Sequence, residues 1–357
     1  MNMRASLLTA LLLVACKGTA TPTTPTATAS ATAAGTATAQ ASAAPTTPPP
    51  SPMEVAKKHV SEMEAAFAAK DVAKLLSFYG PGATVGMGGP AGWQEMPAAA
   101  VGKQFEALFA AFPDLQVKMT RVLVAGDSVV SEYVVTGTNT GEFMGEKATG
   151  KKIGYAGASA MNLGADGKIA HESMYYDQGT VAAQLGKGPK GMTARAVLTA
   201  PTAEAEILVA GDADAKNVDL VKAMNEGMMK KDKAAADMLT DDVVVSMQYD
   251  PADQSGKKAV LKSNEDMMKA FVDQKVDVKG CVAAGAYVAC ETAWTATWKG
   301  DAMGMKATGK TGTVHGIDVT RVNGGKVAGI TGYGNGLEFA GAFGLLDKAP
   351  AGKAPTK

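Results

Sequence analysis

Cysteine is scarce in this chain of 357 residues: three occur, Cys16, Cys281 and Cys290. They form no C-x-x-C pair and join no cysteine–histidine cluster, which excludes the common zinc spacings, so no metal site is expected. An excess of one charge is also lacking. Lysine plus arginine and aspartate plus glutamate each number 35, so no net field draws the chain to nucleic acid or to an acidic membrane face. Neither a P-loop nor a strand followed by G-x-G-x-x-G is present, and nucleotides lose their usual cradle. The apolar run over residues 7–15 is too short to cross a bilayer. The expectation is a protein without cofactor, metal or nucleic-acid partner.

The short apolar run has another use. Arg4 precedes it and L-V-A-C ends it at Cys16, the order of a secretory signal peptide. The tetrad resembles a bacterial lipobox, which implies cleavage before Cys16 and a lipid on its sulfur. Residues 1–16 then form a lipoprotein signal, with Cys16 as the lipidation site and the cell envelope as the destination. Lys17 stands where inner-membrane retention asks for Asp, which points to the outer membrane in a Gram-negative cell. Residues 17–52 are almost all Thr, Ala, Pro and Ser, with too few large apolar side chains to offset ordering entropy. They read as a disordered tether, and the lipid as the chain's only membrane contact.

The remainder, about 300 residues, has room for two domains of ordinary size. A repeat fills it. The block T-G-T-N-T-G-E-F-M-G-E-K-A-T-G-K over residues 136–151 returns over residues 295–310 as T-A-T-W-K-G-D-A-M-G-M-K-A-T-G-K. Upstream, Phe112, Asp114, Val117, Gly126, Val129 and Glu132 match Phe271, Asp273, Val276, Gly285, Val288 and Glu291 in step. So long a period rules out a solenoid and means two copies of one fold. Domain 1 is placed at 53–187, a linker at 188–214, domain 2 at 215–346 and a flexible tail at 347–357.

Helical spacing of Val55, His59, Val60, Met63 and Phe67 predicts a first helix over 53–70. Asp71 reads as the N-cap of a second over 72–79, which Gly80, Pro81 and Gly82 end. A short strand over 83–88 and a third helix over 97–112 follow. From Leu115 the apolar period changes to two, and strands run to the end of the repeat. Domain 2 repeats the order, with helices over 218–231, 233–239 and 264–272, a strand over 243–247 and a hairpin over 276–297. Helices first and strands after define an α+β class.

The run F-P-D-L-Q-V-K-M-T-R-V-L-V-A-G-D-S-V-V, the T-G-T-N-T-G block and A-D-G-K-I-A-H-E-S-M-Y-Y-D-Q-G-T-V-A-A-Q-L-G resemble the SnoaL-like polyketide-cyclase/ester-cyclase family of the NTF2-like superfamily. The resemblance covers 53–186 well and 218–346 more weakly. It implies two tandem cone-shaped α+β barrels. In each, three helices pack in a curved, mainly antiparallel sheet that leaves a cavity at its open end. Sheets of this kind commonly pair face to face, which implies an intramolecular pseudo-dimer of the two repeats.

Chemistry is expected on the last strand of domain 1. Over 168–177 the chain alternates, with Ile169, His171, Ser173, Tyr175 and Asp177 on one face and Ala170, Glu172, Met174 and Tyr176 on the other. In the cyclases that the chain resembles, an Asp near the end of this strand acts as acid/base in an aldol ring closure, and Asp177 matches it. The same Asp would equally serve as a helix cap. Tyr155 and Tyr175 are candidate polarising hydroxyls, or plain core aromatics. His171, Ser173 and Asn139 are pocket candidates, although family members often carry His at the position of Asn139 and Trp at that of Ser173. Glu172 and Glu132 are expected to face solvent or the partner sheet.

Domain 2 has Asn335 where domain 1 has Asp177, and an amide is no general base near neutral pH. His315 and Asn335 are its pocket candidates, and His315 and Asp318 fall on opposite faces of one strand. Ala284, Gly285, Ala286 and Tyr287 read as a type II′ hairpin turn with Gly at its first central position. Counting outward sets Cys281 opposite Cys290 in a non-hydrogen-bonded pair, within disulfide reach in an oxidising compartment. Two functions fit. One is an anchored module that binds a small apolar molecule or a partner without catalysis. The other is a cyclase or isomerase that abstracts a proton beside a carbonyl through Asp177. The missing His and Trp, the degenerate second copy and the export signal favour the first.

Overall fold

A computed structural model describes residues 51–143, 145–187, 195–211 and 214–346. The expected signal with Cys16, the expected tether up to residue 50 and the expected tail lie outside the described residues. Domain 1 opens with α1 (Pro52–Ala69), α2 (Val72–Ser77), β1 (Tyr79–Gly89), β2 (Gly92–Pro97) and α3 (Ala98–Ala111). It continues with β3 (Gln116–Ala125), β4 (Ser128–Thr138), β5 (Lys152–Leu163), β6 (Ile169–Tyr176), α4 (Gln178–Gln184) and β7 (Glu206–Val209). Domain 2 runs through α5 (Ala215–Met229), α6 (Lys233–Asp237), β8 (Leu239–Met247), β9 (Gln254–Ser255) and α7 (Lys257–Ala270). Its second half is β10 (Phe271–Ala284), β11 (Tyr287–Trp298), β12 (Thr311–Asn323), β13 (Lys326–Gly334) and α8 (Gly336–Ala342).

Local chemistry sets the helix starts. Ser51 and Glu54 form a reciprocal capping box on α1, and Asp71 caps α2 through the Lys74 N–H at 2.8 Å. Two expectations are corrected. Gly80, Pro81 and Gly82 do not end α2; they lie inside β1, where pairing with β6 slips between Tyr79 and Thr84. Tyr79 therefore opens a strand instead of closing a helix. The third helix of domain 2 starts at Lys257, earlier than its apolar pattern indicates. The linker contains a strand, because β7 adds to the edge of the first sheet parallel to β3.

The first sheet runs β2-β1-β6-β5-β4-β3-β7 and the second β10-β11-β12-β13-β8-β9. Each is antiparallel except where its last long strand meets its first, at β1–β6 and β8–β13, and at the added β7. In domain 1 the helices bury Ala66, Leu75, Val101, Phe105 and Phe109 against Val85, Val117, Val135 and Ile153 of the sheet. The opposite sheet faces supply an apolar cluster that draws on both repeats. Leu123, Val130, Ala158, Ala160 and Tyr175 gather there with Ala284, Ala289, Ile317, Val319 and Tyr333. Polar bonds frame it: Tyr333 donates to Glu132 at 2.6 Å, Tyr175 donates to Glu291 at 2.8 Å, and Arg121 pairs with Glu132.

Cys281 and Cys290 are joined by a disulfide, with Cα atoms 4.1 Å apart. Gly285 takes φ +57° at the turn, and the pairs Ala284–Tyr287, Ala283–Val288 and Val282–Ala289 lead outward to the bridge as the register count requires.

Candidate functional site

The pleat decides what each strand offers the interior of the first cone. Tyr133 and Val135 of β4, Tyr155 and Met161 of β5, and Met174 and Tyr176 of β6 all pack into the domain 1 core. Between Asn162 and Leu163 the β5–β6 pairing slips. Ile169 stays in the core, but beyond the slip the faces exchange. His171, Ser173 and Tyr175 turn outward, and Glu172 turns in with Met174 and Tyr176. The grouping of His171, Ser173 and Tyr175 against Glu172, Met174 and Tyr176 is as expected; what is corrected is the face of Ile169, the set that faces the core, and the exposure of Glu172. Glu132 faces the second sheet.

Glu172 is 7% exposed, and the Tyr79 hydroxyl donates to its Oε2. Burial holds its carboxyl above the usual carboxylate value, against the opposing pull of the Tyr79 and Ser159 hydroxyls. Tyr133 lies in the same tier. Burial and the neighbouring Glu172 keep its phenol protonated well beyond the usual range. Its ring crosses β5 at Gly157, where an added Cβ would come within 2.7 Å of the ring.

Beside this tier is an apolar cavity of about 260 Å³ between the first turns of α1 and the sheet. Val55, His59, Val60 and Met63 of α1 line one side; Met119, Ser131 and Met161 are among the strand residues opposite. The tier and the cavity are adjacent rows of one sheet face. Ser131 pairs with Ser159, Met119 with Tyr133 and Met161 with Glu172, and Phe78 of the lining precedes Tyr79.

The residues singled out from sequence lie elsewhere. Asp177 caps α4, accepting from Gly179 N–H at 3.0 Å and Thr180 N–H at 2.8 Å, and also from Gly336 N–H of domain 2 at 2.8 Å. Tyr155 sits within the cone, its ring 5.4 Å from that of Tyr176, and burial pushes its phenol up. Tyr175 lies on the outer face, bonded to Glu291. The three are not brought together.

On that outer face His171 bonds to the hydroxyls of Thr84, at 2.8 Å, and Ser173, at 3.2 Å. Trp93 lies 4.8 Å from the His315 ring, and His315 meets Glu338 at 2.7 Å. Asn335 caps α8 and donates to the Gly88 carbonyl at 2.8 Å. Asn139 clamps its loop through the Gly141 carbonyl and Thr149 N–H. None of these lines the cavity.

The second cone does not repeat the polar tier. Register sets Ile330 opposite Val245 as Glu172 is set opposite Val85, and Asp318 opposite Cys290 as Ser159 is opposite Ser131. Burial pushes the Asp318 carboxyl up to about 6. Among the described residues no group of three or more His, Cys, Asp or Glu side chains gathers as a metal site, and no helix is long and apolar enough to cross a membrane.

Two copies of a helix-filled, mixed-sheet cone, one carrying an apolar cavity beside a buried carboxylate, define the class of protein. The chain belongs to the family described as SnoaL-like polyketide cyclase, whose model matches residues 61–185 and 218–340. Comparison with curated proteins finds no match. Among solved structures, AclR from Streptomyces galilaeus, provisionally assigned as a hydroxylase, is 27% identical over 39% of this chain and 85% of its own, with a TM-score of 0.35. IdmH from Streptomyces antibioticus, provisionally assigned as a polyketide cyclase, is 25% identical over 36% of this chain and 97% of its own, with a TM-score of 0.33. A provisionally assigned SnoaL-like polyketide cyclase from Jannaschia sp. CCS1 is 15% identical over 38% of this chain and 95% of its own, with a TM-score of 0.35.

Proposed function

We propose that the chain is a cell-envelope lipoprotein, held by lipid on Cys16, whose first domain binds a small apolar molecule without chemical turnover. The observation that carries this reading is the apolar cavity of about 260 Å³, to which Asp177, Tyr155 and Tyr175 contribute nothing. Apolar pockets of a few hundred Å³ with a few placed polar groups are the common form of small-molecule sites. The alternative is a cyclase or isomerase with Asp177 as acid/base. It asks a carboxylate already engaged by three backbone N–H groups to give up a helix cap.

The order of Arg4, apolar run and L-V-A-C supports the anchor, and the Thr- and Pro-rich stretch supports a tether. An intramolecular pseudo-dimer of the repeats is supported by their shared apolar cluster and by the Tyr333–Glu132 and Tyr175–Glu291 bonds. Mass spectrometry of small molecules that co-purify with the chain tests the binding reading, with Val60→Trp filling the cavity as the control. Membrane partitioning of Cys16→Ser tests the anchor: release or blocked processing is expected, and unchanged partitioning and mass would contradict it.

A further inference from the structure

We infer that the occupant of the domain 1 cavity is an apolar molecule with one hydrogen-bond-donating end, an alcohol or an amine, seated with that end on Glu172. This rests on the reading of the cavity as a ligand site and adds the chemistry of the ligand's head. The cavity lining is apolar apart from His59 and Ser131, and the tier of Glu172, Tyr79, Tyr133 and Ser159 lies one residue row behind it, Glu172 next to Met161 and Ser159 next to Ser131.

The polarity of that tier sets the head group. Among the described residues no lysine or arginine pairs with Glu172; the Tyr79 hydroxyl donates to it, and the Ser159 hydroxyl is near enough to pull its carboxyl down. A carboxylate has about four lone-pair positions, and the Tyr79 hydroxyl fills one of them. Tyr79 spends its only proton on Glu172, so an incoming acceptor finds that donor occupied. An acid or sulfate would bring a second acidic group against Glu172 with no lysine or arginine in the cavity lining to offset it, which a buried site disfavours. A hydroxyl or ammonium completes the carboxylate instead.

The approach is also in place. Met161 lines the cavity and is the direct cross-strand neighbour of Glu172 on the same sheet face. Its unbranched thioether is a side chain that a ligand can move aside at small cost. At interior packing density the cavity holds roughly ten non-hydrogen atoms. In domain 2 Ile330 stands at the register position of Glu172 and the carboxylate of Asp318 at that of Ser159, so one such molecule is expected per chain, in domain 1.

The test is calorimetry of the full chain carrying Cys16→Ser, free of detergent, with 1-octanol, octylamine, octanoate and octane as matched probes. Octanol or octylamine is expected to bind once per chain, about tenfold or more tighter than octanoate and octane, a margin typical of a hydrogen bond to a charged group. Glu172→Gln should erase that margin for octylamine and shrink it for octanol, which separates an amine ligand from an alcohol. If Glu172→Gln does not fold, Glu172→Asp, which keeps the carboxylate but draws it back by one methylene, should also shrink the margin. Octanoate or octane binding as tightly as the donors, or a preference unchanged by the substitution, would overturn the inference while leaving the cavity a ligand site. Failure of all four probes to bind would overturn both.

Discussion

The Asp177 carboxylate accepts the backbone N–H of Gly336 at 2.8 Å, so the cap of a helix in one repeat is also a bond to the other. Asn335 answers from the second repeat, capping α8 while donating to the Gly88 carbonyl of the first. A residue used this way is more costly to lose than an ordinary cap. Asp177→Ala is expected to lower stability by about 2 kcal/mol, the upper end for a lost cap, and Asp177→Asn by less because an acceptor oxygen remains. Urea unfolding of the two variants checks this. Wild-type stability in Asp177→Ala would remove the structural role.

Glu132 is 4% exposed and lies between Arg121 of its own sheet and Tyr333 of the other. Arg121 also covers the Tyr287 ring at 3.8 Å. Arg121→Ala would strand a buried carboxylate, at a cost of about 3 kcal/mol. Adding Glu132→Gln should restore part of that loss, and a double-mutant cycle measures the coupling. Strict additivity would show that the two side chains do not act together.

The Cys281–Cys290 bridge closes a short hairpin, with a sequence separation of 9. Reduction should cost about 2–3 kcal/mol in the chain-entropy model. Denaturant melts with and without reductant give the difference. Full alkylation of both thiols in unreduced protein from its native compartment would refute the bond.

Asp318 carries a pH dependence of known sign. Its folded pKa is raised from 3.8 to about 6, so the folded chain holds this proton more tightly than the unfolded chain. The contribution to stability is complete below the lower value and is lost as pH rises through the upper one. Asp318→Asn should flatten that fall between about pH 4 and 6 relative to wild type. Parallel pH profiles for the two chains would contradict the shift.

These residues also show what the sequence made legible. The duplication, the α+β order and the hairpin register were readable because each depends on local pattern. Cys281 finds Cys290 by counting from Gly285. The face of β6 was hidden, since the slip between Asn162 and Leu163 leaves no mark in composition yet turns Glu172 inward and Tyr175 outward. Tyr79 was hidden for a similar reason: it follows a helical run and belongs to a strand through its pairing with Ile169. The bond from Asp177 to Gly336 uses a main-chain N–H, which a sequence does not display. A signal for the inner tier did exist in Tyr79, Tyr133 and Glu172, but it needed the sheet register to join them.

The proposed occupant of the domain 1 cavity is a small apolar molecule. Native mass spectrometry of the full chain carrying Cys16→Ser, isolated without detergent, tests it most directly beside the same chain with Val60→Trp. An added mass of one small apolar compound per chain, absent from the Val60→Trp chain, is expected. Two fully folded chains that both fly free of any added mass, or that carry the same compound equally, would contradict it.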